Sequence, residues 1–138
     1  MSSFAAQVEA MARKYQMQLR ATAKGSVQHT VKLAQAVEKE GGRMRVDTGF
    51  LRASIAGAYD VMPHGVAVNP DPKVKVKYDG KPIAAAIVRW KPETQVLYIG
   101  WVANYARPRE ARDGFLKGAT EQWDQTVNMI AAGVKART

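Results

Sequence analysis

The stretch Arg45-Val46-Asp47-Thr48-Gly49-Phe50-Leu51-Arg52-Ala53-Ser54-Ile55 lies where the sequence changes from a helical pattern to a strand-like one. Before it, apolar residues recur every three or four positions, which is typical of a helix with one apolar face. After Ser54, short strand-like runs alternate with turns. Within the stretch, Asp47 is a candidate N-cap for a short helical turn, and Gly49 permits an unusual backbone angle or a close packing contact. The stretch therefore predicts a junction between a helical part and a β part.

The sequence before this junction predicts a helical region over residues 1–40, with Ser2 or Ser3 as the N-cap. Its apolar face is formed by Phe4, Val8, Met11, Tyr15, Leu19, Thr22, Thr30, Leu33 and Val37. Glycine costs about 1 kcal/mol in a helix interior relative to alanine. Gly25 therefore predicts either one long helix bent at that point or two successive helices. Gly41-Gly42 is expected to end the region, because glycine readily adopts the left-handed conformation of a C-terminal cap.

Residues 55–102 are predicted to be mostly β. Four strand-like runs are separated by turns and predict two hairpins, of which the second is the stronger: 55–61 with 66–69, and 83–90 with 95–102. Trp90 and Trp101 would lie in the two strands of the second hairpin, as core residues or as interface anchors. Between the hairpins, residues 69–82 are bounded by prolines and alternate lysine with apolar residues, which predicts a basic loop or hairpin.

The end of the chain returns to a helical pattern over residues 113–135. Its apolar stripe consists of Leu116, Ala119, Trp123, Thr126 or Val127, Ile130 and Val134. The 138 residues are enough to bury a core as one domain, residues 1–138. Together the patterns predict the α+β class, with a long N-terminal helix, an antiparallel sheet of about four or five strands, and a C-terminal helix packed on the sheet.

Composition excludes several classes of site. Hydrophobic residues make up 46% of the chain, which favours a folded domain over a disordered tail. The chain has no cysteine, which excludes disulfide scaffolds and thiolate zinc sites and suits a reducing cytosol. His29 and His64 lack the spacing of metal ligands, so we expect no metal and no cofactor. The sequence shows neither a signal peptide nor an apolar run long enough for a bilayer, so we expect no membrane association.

The formal net charge of +9 predicts attraction to polyanions or to acidic protein surfaces. The candidate partner-facing or DNA-facing residues are Lys73, Lys75, Lys77, Lys81, Arg107, Arg109 and Arg112. The lysines could bind an acidic partner or DNA, and a plain solvated hairpin explains them as well. The arginines could dock on a partner or only keep the approach to the last helix soluble. A sequence-independent nucleic-acid-binding module is the alternative function that these residues support.

The triplet Asp47-Thr48-Gly49 is also the active-site triplet of aspartic proteases, in which two carboxylates share one proton. A single triplet could serve only in a homodimer, and Leu97–Gly100 mimics the apolar-apolar-Gly element of retroviral-type proteases. Those enzymes are almost wholly β, whereas helical patterns cover roughly half of this chain. Arg45 and Arg52 would also favour the ionised form of Asp47, although the catalytic pair must hold a proton. The sequence therefore favours a protein that is not an enzyme.

The order of several motifs carries a family resemblance. A long amphipathic helix leads into the stretch 46–55, a β region follows, and Asn104-Tyr105-Ala106 precedes residues 112–119 (Arg-Asp-Gly-Phe-Leu-Lys-Gly-Ala) at the opening of a terminal helix. This order resembles the neck, tail-completion or minor tail component family of long-tailed phages and prophages, over most of the chain. The residues matched to the family are Asp47, Thr48, Gly49, Leu51, Arg52, Ser54 and Tyr105. The chain departs from the family at 107–112, where members often carry an aromatic-Val-Glu-x-Gly-Thr segment.

The resemblance implies a virion structural subunit of the head–tail junction, assembled in the bacterial cytoplasm. Such subunits form a homo-oligomeric ring that joins head-closure or connector proteins to tail terminator or tail tube proteins. DNA passes through the lumen of such a ring, so non-specific contact with DNA is implied as well. In a ring subunit, Asp47 and Arg52 would either pair locally or reach the neighbouring subunit.

Overall fold

The computed structural model describes residues 3–138, and it confirms the α+β class and the long N-terminal helix. The elements in chain order are α1 (Phe4–Gln35), a 3₁₀ turn (Glu38–Glu40), α2 (Phe50–Ala53), β1 (Ile55–Tyr59), α3 (Lys81–Arg89), β2 (Leu97–Trp101), α4 (Ala106–Asp113), α5 (Phe115–Thr120) and α6 (Trp123–Arg137). Within residues 3–138, no helix is both long enough and apolar enough to cross a membrane.

Helix α1 runs without interruption through Gly25, so of the two predicted alternatives the single long helix is confirmed and the two successive helices are not. A Cβ placed on Gly25 would lie 2.8 Å from Cγ2 of Ile130 in α6. The glycine therefore allows α1 and α6 to approach closely, and this packing offsets its low helix propensity. At the N-terminus, the Ser3 hydroxyl oxygen accepts a hydrogen bond from Ala6 N at 3.1 Å. Ser2, the other predicted cap, lies outside the described residues.

Helix α1 ends earlier than the glycine pair predicts. Its C-cap is Ala36, and the chain then turns through a short 3₁₀ helix. Gly41, with φ of 86°, closes that 3₁₀ turn and does not end α1. A short parallel bridge between Val37 and Met44 follows, which brings Met44 into the core with none of its surface exposed. A glycine of the pair thus forms a left-handed C-cap as predicted, but it caps the 3₁₀ helix and not α1.

The sheet within residues 3–138 has two strands, so the prediction of four or five strands is wrong. Strand β1 pairs with β2 in antiparallel register, with Ile55 opposite Trp101 and Tyr59 opposite Leu97. The predicted partner of β1, the run 66–69, forms only an isolated bridge from Ala67 to the segment after β2. Both predicted hairpins are therefore wrong in their pairing, although β1 and β2 themselves lie within predicted strand runs.

The run 83–90 is not a strand, since it lies mainly in helix α3. Ile83 and Ile87, one helical turn apart, are its buried residues, and Pro82 sits in the first turn, where its missing N–H costs nothing. A Cβ on Gly57 of β1 would lie 3.2 Å from Ile83 Cδ1, so α3 packs closely on the strand. Trp90 is the C-cap of α3, not a strand residue. Short apolar runs cannot be assigned to strand or helix by periodicity alone.

The C-terminal helical region is divided into α5 and α6, and its main partner is α1, not the sheet. The prediction that it packs on the sheet is therefore met only by a smaller contact, that of Phe115 with Trp101 of β2. The core is formed by Ala34, Met44, Leu51, Ala103, Phe115 and Ala119. The indole of Trp101 in β2 meets the Phe115 ring edge-on, with centroids 5.0 Å apart. Such aromatic pairs add about 1 kcal/mol beyond their burial.

The first half of α1 has no packing partner within residues 3–138. Every residue from 4 to 17 is exposed, and Gln18 is the first to reach another element, donating to Thr138 Oγ1 at 2.6 Å. Further along, Arg20 Nη2 lies 2.8 Å from Glu93 Oε1. A backbone hydrogen bond at Glu93, followed by the one from Arg20, holds the pKa of that carboxyl below its ordinary value. The predicted apolar face of α1 is thus partly buried only in its second half, where the buried residues are Ser26, Ala34 and Gln35.

Candidate functional site

A cleft of about 630 Å³ is lined on one side by the stretch 45–55 at the junction of helix and sheet. Arg45, Asp47 and Thr48 line it on this side, and Tyr105 and Arg109 line it on the other. A second cleft, of about 370 Å³, lies along the same stretch and includes Lys75 among its lining residues. The stretch thus lies between two grooves and touches the basic loop and the start of α4.

Thr48 and Gly49 hold the basic loop against the body of the protein. Val76 N donates to Thr48 O at 2.6 Å, and Asn69 Nδ2 donates to the Thr48 hydroxyl at 3.3 Å. Gly49 has φ of 86°, and a Cβ there would lie 2.3 Å from Val76 O. Only glycine combines this backbone angle with so close an approach. The two residues therefore determine where the loop leaves the fold.

Arg52 connects three parts of the chain. Its Nε donates to Gln35 O at 2.9 Å, and its own carbonyl accepts from Gln35 Nε2 at 2.8 Å. The guanidinium lies over the ring of Tyr78, 4.7 Å from the centroid, in a cation–π contact. Gln35 Oε1 also accepts from Trp101 Nε1 at 2.8 Å. The end of α1, helix α2, the basic loop and strand β2 are thereby tied together around one buried glutamine.

Two predictions about Asp47 are wrong. Its side chain does not cap α2, whose N-cap is Gly49 without a side-chain hydrogen bond. The Thr48 hydroxyl instead accepts from Phe50 N at 3.3 Å, a local turn that serves the same purpose. Among residues 3–138, Asp47 also forms no ion pair, so it is not the local partner of Arg52. Asp47 is exposed at the mouth of the cleft.

Leu51 and Ser54 are buried and support the junction from inside. Leu51 is 5% exposed and belongs to the core. Ser54 is 8% exposed, and its hydroxyl donates to Leu51 O at 2.7 Å. The carbonyl of Ser54 accepts from Val102 N at 3.2 Å, just beyond the β1–β2 pairing. These two residues therefore act on the stability and position of the junction, and Leu51 also lines the cleft.

Tyr105 and the arginine cluster stand at the opposite wall. Tyr105 is half-buried, with its ring centroid 6.2 Å from that of Phe50. The cluster lies on α4, a helix that the sequence patterns did not predict. Arg109 pairs with Asp113 through Nη2 and Oδ1 at 2.6 Å, so its charge is balanced within the helix. Arg107 and Arg112 are exposed.

The predicted basic residues of the 69–82 segment are all at the surface. Lys73, Lys75, Lys77 and Lys81 are exposed. The segment is a loop that leads into α3, not a hairpin, since no strand lies between β1 and β2. Its backbone is stabilised by short-range contacts, including Asp71 N with Asn69 Oδ1 at 3.2 Å. The loop thus presents Lys73, Lys75 and Lys77 from a base anchored at Thr48, whereas Lys81 is the first residue of α3.

The cleft of a single chain supplies one of the two carboxylates that acid proteolysis requires. Asp47 is the one carboxylate among the described residues that line it, whereas Arg45, Arg52 and Arg109 line it as well. A proton shared by two carboxylates needs a second acid close by. Residues 3–138 also contain no cluster of three or more His, Cys, Asp or Glu side chains that could hold a metal ion. The residues of the stretch 45–55 instead position the basic loop and one wall of the cleft, whose other wall includes Tyr105.

Gln35 is the site residue that the sequence patterns missed. It is 3% exposed and makes hydrogen bonds to Arg52 and Trp101. A glutamine within a helical pattern is ordinarily a solvent-facing residue. No local signal distinguishes one that is buried by partners 17 and 66 positions away.

Comparison with known proteins leaves the chain without an assigned relative. No family model, no curated protein and no solved structure matches it. The functional assignment therefore depends on the geometry described above and on the resemblance of the motifs.

Proposed function

We propose that this protein is a virion structural subunit of the head–tail junction of a long-tailed phage or prophage, a neck or tail-completion component, and not an enzyme. The observation that carries the proposal is the structural role of the residues on which the phage-family resemblance rests. Thr48, Gly49 and Arg52 anchor a basic surface loop to the junction of helix and sheet, and they do not converge on a reactive centre. Residues that position a surface segment are what an assembly subunit requires.

The proposed partners follow from the charge and from the exposed surfaces. The net charge of +9 suits acidic faces of head-closure or connector proteins on one side, and of tail terminator or tail tube proteins on the other. Copies of the chain would form a ring around the DNA path, with Asp47 free to reach the neighbouring subunit. The location is then the virion neck, after assembly in the bacterial cytoplasm.

Native mass spectrometry of the purified protein over a concentration series tests the ring directly. We expect a discrete species well above the dimer, because heterologous contacts that close produce one defined stoichiometry. Electron microscopy of the same sample should show a central opening wide enough for duplex DNA. A species that stops at the dimer would contradict the ring and revive the homodimeric protease, which an Asp47→Asn activity assay would then examine.

The basic loop yields a second prediction, on DNA contact. If the loop faces DNA in the lumen, the triple variant Lys73→Gln, Lys75→Gln, Lys77→Gln should bind DNA with a weaker salt dependence. The magnitude of the negative slope of log K against log salt should fall by up to about 2.7, since each phosphate contact contributes roughly 0.9. Fluorescence anisotropy with random-sequence duplexes at several salt concentrations measures this slope.

The control for the loop replaces three exposed lysines elsewhere, Lys91, Lys117 and Lys135, by glutamine, with the same change in net charge. Equal slopes for the two triple variants would show that DNA binding depends only on the overall charge of the protein. The loop would then be a site for acidic proteins and not for DNA. A preference for one DNA sequence would favour the alternative, a nucleic-acid-binding module outside the virion.

A further inference from the structure

The first half of α1 is an amphipathic arm without a partner, which we define as residues 4–17. Phe4, Val8, Met11 and Tyr15 follow one another at steps of four and three, so they lie on one face. Their exposed fractions are 82%, 48%, 53% and 55%. Single exposed apolar residues are ordinary, but a continuous stripe of this kind marks an interaction surface.

A second apolar surface lies at the far end of the same helix. A groove of about 570 Å³ runs between the second half of α1 and helix α3. Val31, Leu33 and Ala36 line one side, and Ile83 and Ala84 line the other. Helix-in-groove contacts use an amphipathic helix with anchors at this spacing and an apolar trough of this kind.

The arm cannot fill the groove of its own chain. Both belong to the uninterrupted helix α1, and their centres are about 22 residues apart, or roughly 33 Å at 1.5 Å per residue. Bringing them together would require breaking the helix near Gly25, where α1 packs against Ile130. An arm can therefore reach this groove only from a second copy.

The apolar area of the arm is close to what such a contact needs. The four arm side chains present on the order of 400 Å² of apolar surface, by the usual area of large side chains. A standard interface buries roughly 800 Å² per partner, of which about 57% is non-polar, so the arm supplies nearly all the apolar part that is needed. Lys14 on the arm is opposite in charge to Glu40 of the groove, whose lining also includes the basic residues Lys32 and Arg52.

We propose that the arm of each copy docks into the α1–α3 groove of the next copy, so that the chains associate head to tail. Each copy then offers one arm and one groove, which is a heterologous contact that closes into a ring or grows as a filament. This inference deepens the proposed function, because it identifies the contact by which the ring would assemble.

Two single variants, each with a matched control, test the contact. Met11→Glu places a charge in the centre of the arm stripe, and Ala6→Glu places one on the opposite face. Ala84→Glu blocks the groove from an exposed position of α3, and Val88→Glu changes an exposed residue of the same helix outside the groove lining. Circular dichroism and thermal melting of all four variants confirm that the fold is kept.

We expect Met11→Glu and Ala84→Glu each to weaken self-association by at least about tenfold, since burying an unpaired charge costs more than 1.4 kcal/mol. Ala6→Glu and Val88→Glu should associate like the unmodified protein. An equimolar mixture of Met11→Glu and Ala84→Glu retains one intact arm–groove contact per pair. The largest species in that mixture should therefore be a dimer, measured by native mass spectrometry.

Other outcomes overturn the inference. If Ala84→Glu oligomers persist while Met11→Glu oligomers are lost, arms pair with arms and the groove is not the receptor. If both variants assemble normally, or if the unmodified chain stays monomeric at all concentrations, head-to-tail docking is excluded. A normal ring in both variants leaves the proposed function standing without this contact. Arm–groove association that yields only open filaments supports the contact and contradicts the ring.

Discussion

Gly49→Ala is expected to lower the free energy of unfolding by about 3 kcal/mol and to release the basic loop. A left-handed backbone costs a residue with a Cβ about 1–2 kcal/mol, and forcing an atom into a filled space costs roughly 1–3 kcal/mol more. Both apply here, because Gly49 has φ of 86° and its Cβ would lie 2.3 Å from Val76 O. The contact that must give is the hydrogen bond from Val76 N to Thr48 O. Urea denaturation measures the stability loss, and trypsin cleavage within residues 73–77 measures the release.

Gly41→Ala is the matched control for this prediction. Gly41 has the same φ of 86°, but nothing lies within 4 Å of the Cβ position. Gly41→Ala should therefore lower the free energy of unfolding only by the cost of the left-handed backbone, about 1–2 kcal/mol. The trypsin cleavage pattern should be unchanged. Equal losses for Gly41→Ala and Gly49→Ala would mean that the close approach to Val76 contributes nothing. The loop would then not be held by the glycine.

The sequence predicted those parts of the fold that depend on local signals. The 3.6-residue period of α1 extends over many residues, and β1 and β2 fall within the strand runs 55–61 and 95–102. Which strands pair is a long-range property, and both predicted hairpins joined the wrong segments. The strands that do pair, β1 and β2, are separated by the basic loop and α3. Turn signals between neighbouring runs carry no information on a connection of that length.

The misassigned run 83–90 shows how composition and spacing can compete. Apolar residues dominate it, which suits a buried strand as well as a helix. Its three successive alanines at 84–86 favour a helix by intrinsic propensity. Ile83 and Ile87, four residues apart, are the positions that α3 buries. Weighing propensity above the strand-like flanks would have identified α3 and left a sheet of two strands.

The candidate site was predictable in its members from the stretch 45–55, but neither Gln35 nor the contacts of these members were predictable. Thr48, Gly49 and Arg52 are close in sequence, so the motif could place them together. Their partners, Val76 and Tyr78, come from a loop without regular structure. The local alternative, an Asp47–Arg52 pair, is wrong because the Arg52 side chain is directed to the end of α1 and to an aromatic ring instead.

Gln35→Met is expected to destabilise the protein by about 3 kcal/mol, although methionine matches glutamine in length. The Gln35 side chain is the acceptor for Trp101 Nε1 at 2.8 Å and the donor to Arg52 O at 2.8 Å. A buried group left without its hydrogen bond costs about 1–3 kcal/mol, and both partners here are partly buried. Gln28→Met, at an exposed position of the same helix, should change stability by less than about 0.5 kcal/mol. Urea denaturation of the two variants measures the difference.

A double-mutant cycle with Trp101→Phe separates the two hydrogen bonds of Gln35. Phenylalanine keeps a ring near Phe115 but has no N–H, so Gln35→Met in that background should leave only Arg52 O unpaired. We expect a coupling energy of about 1 kcal/mol between positions 35 and 101. A coupling near zero would mean that the indole does not depend on Gln35. A measurable coupling would establish that the side chain of Gln35 holds the end of α1 against strand β2. The same side chain also holds the backbone of Arg52, which lies beneath the basic loop.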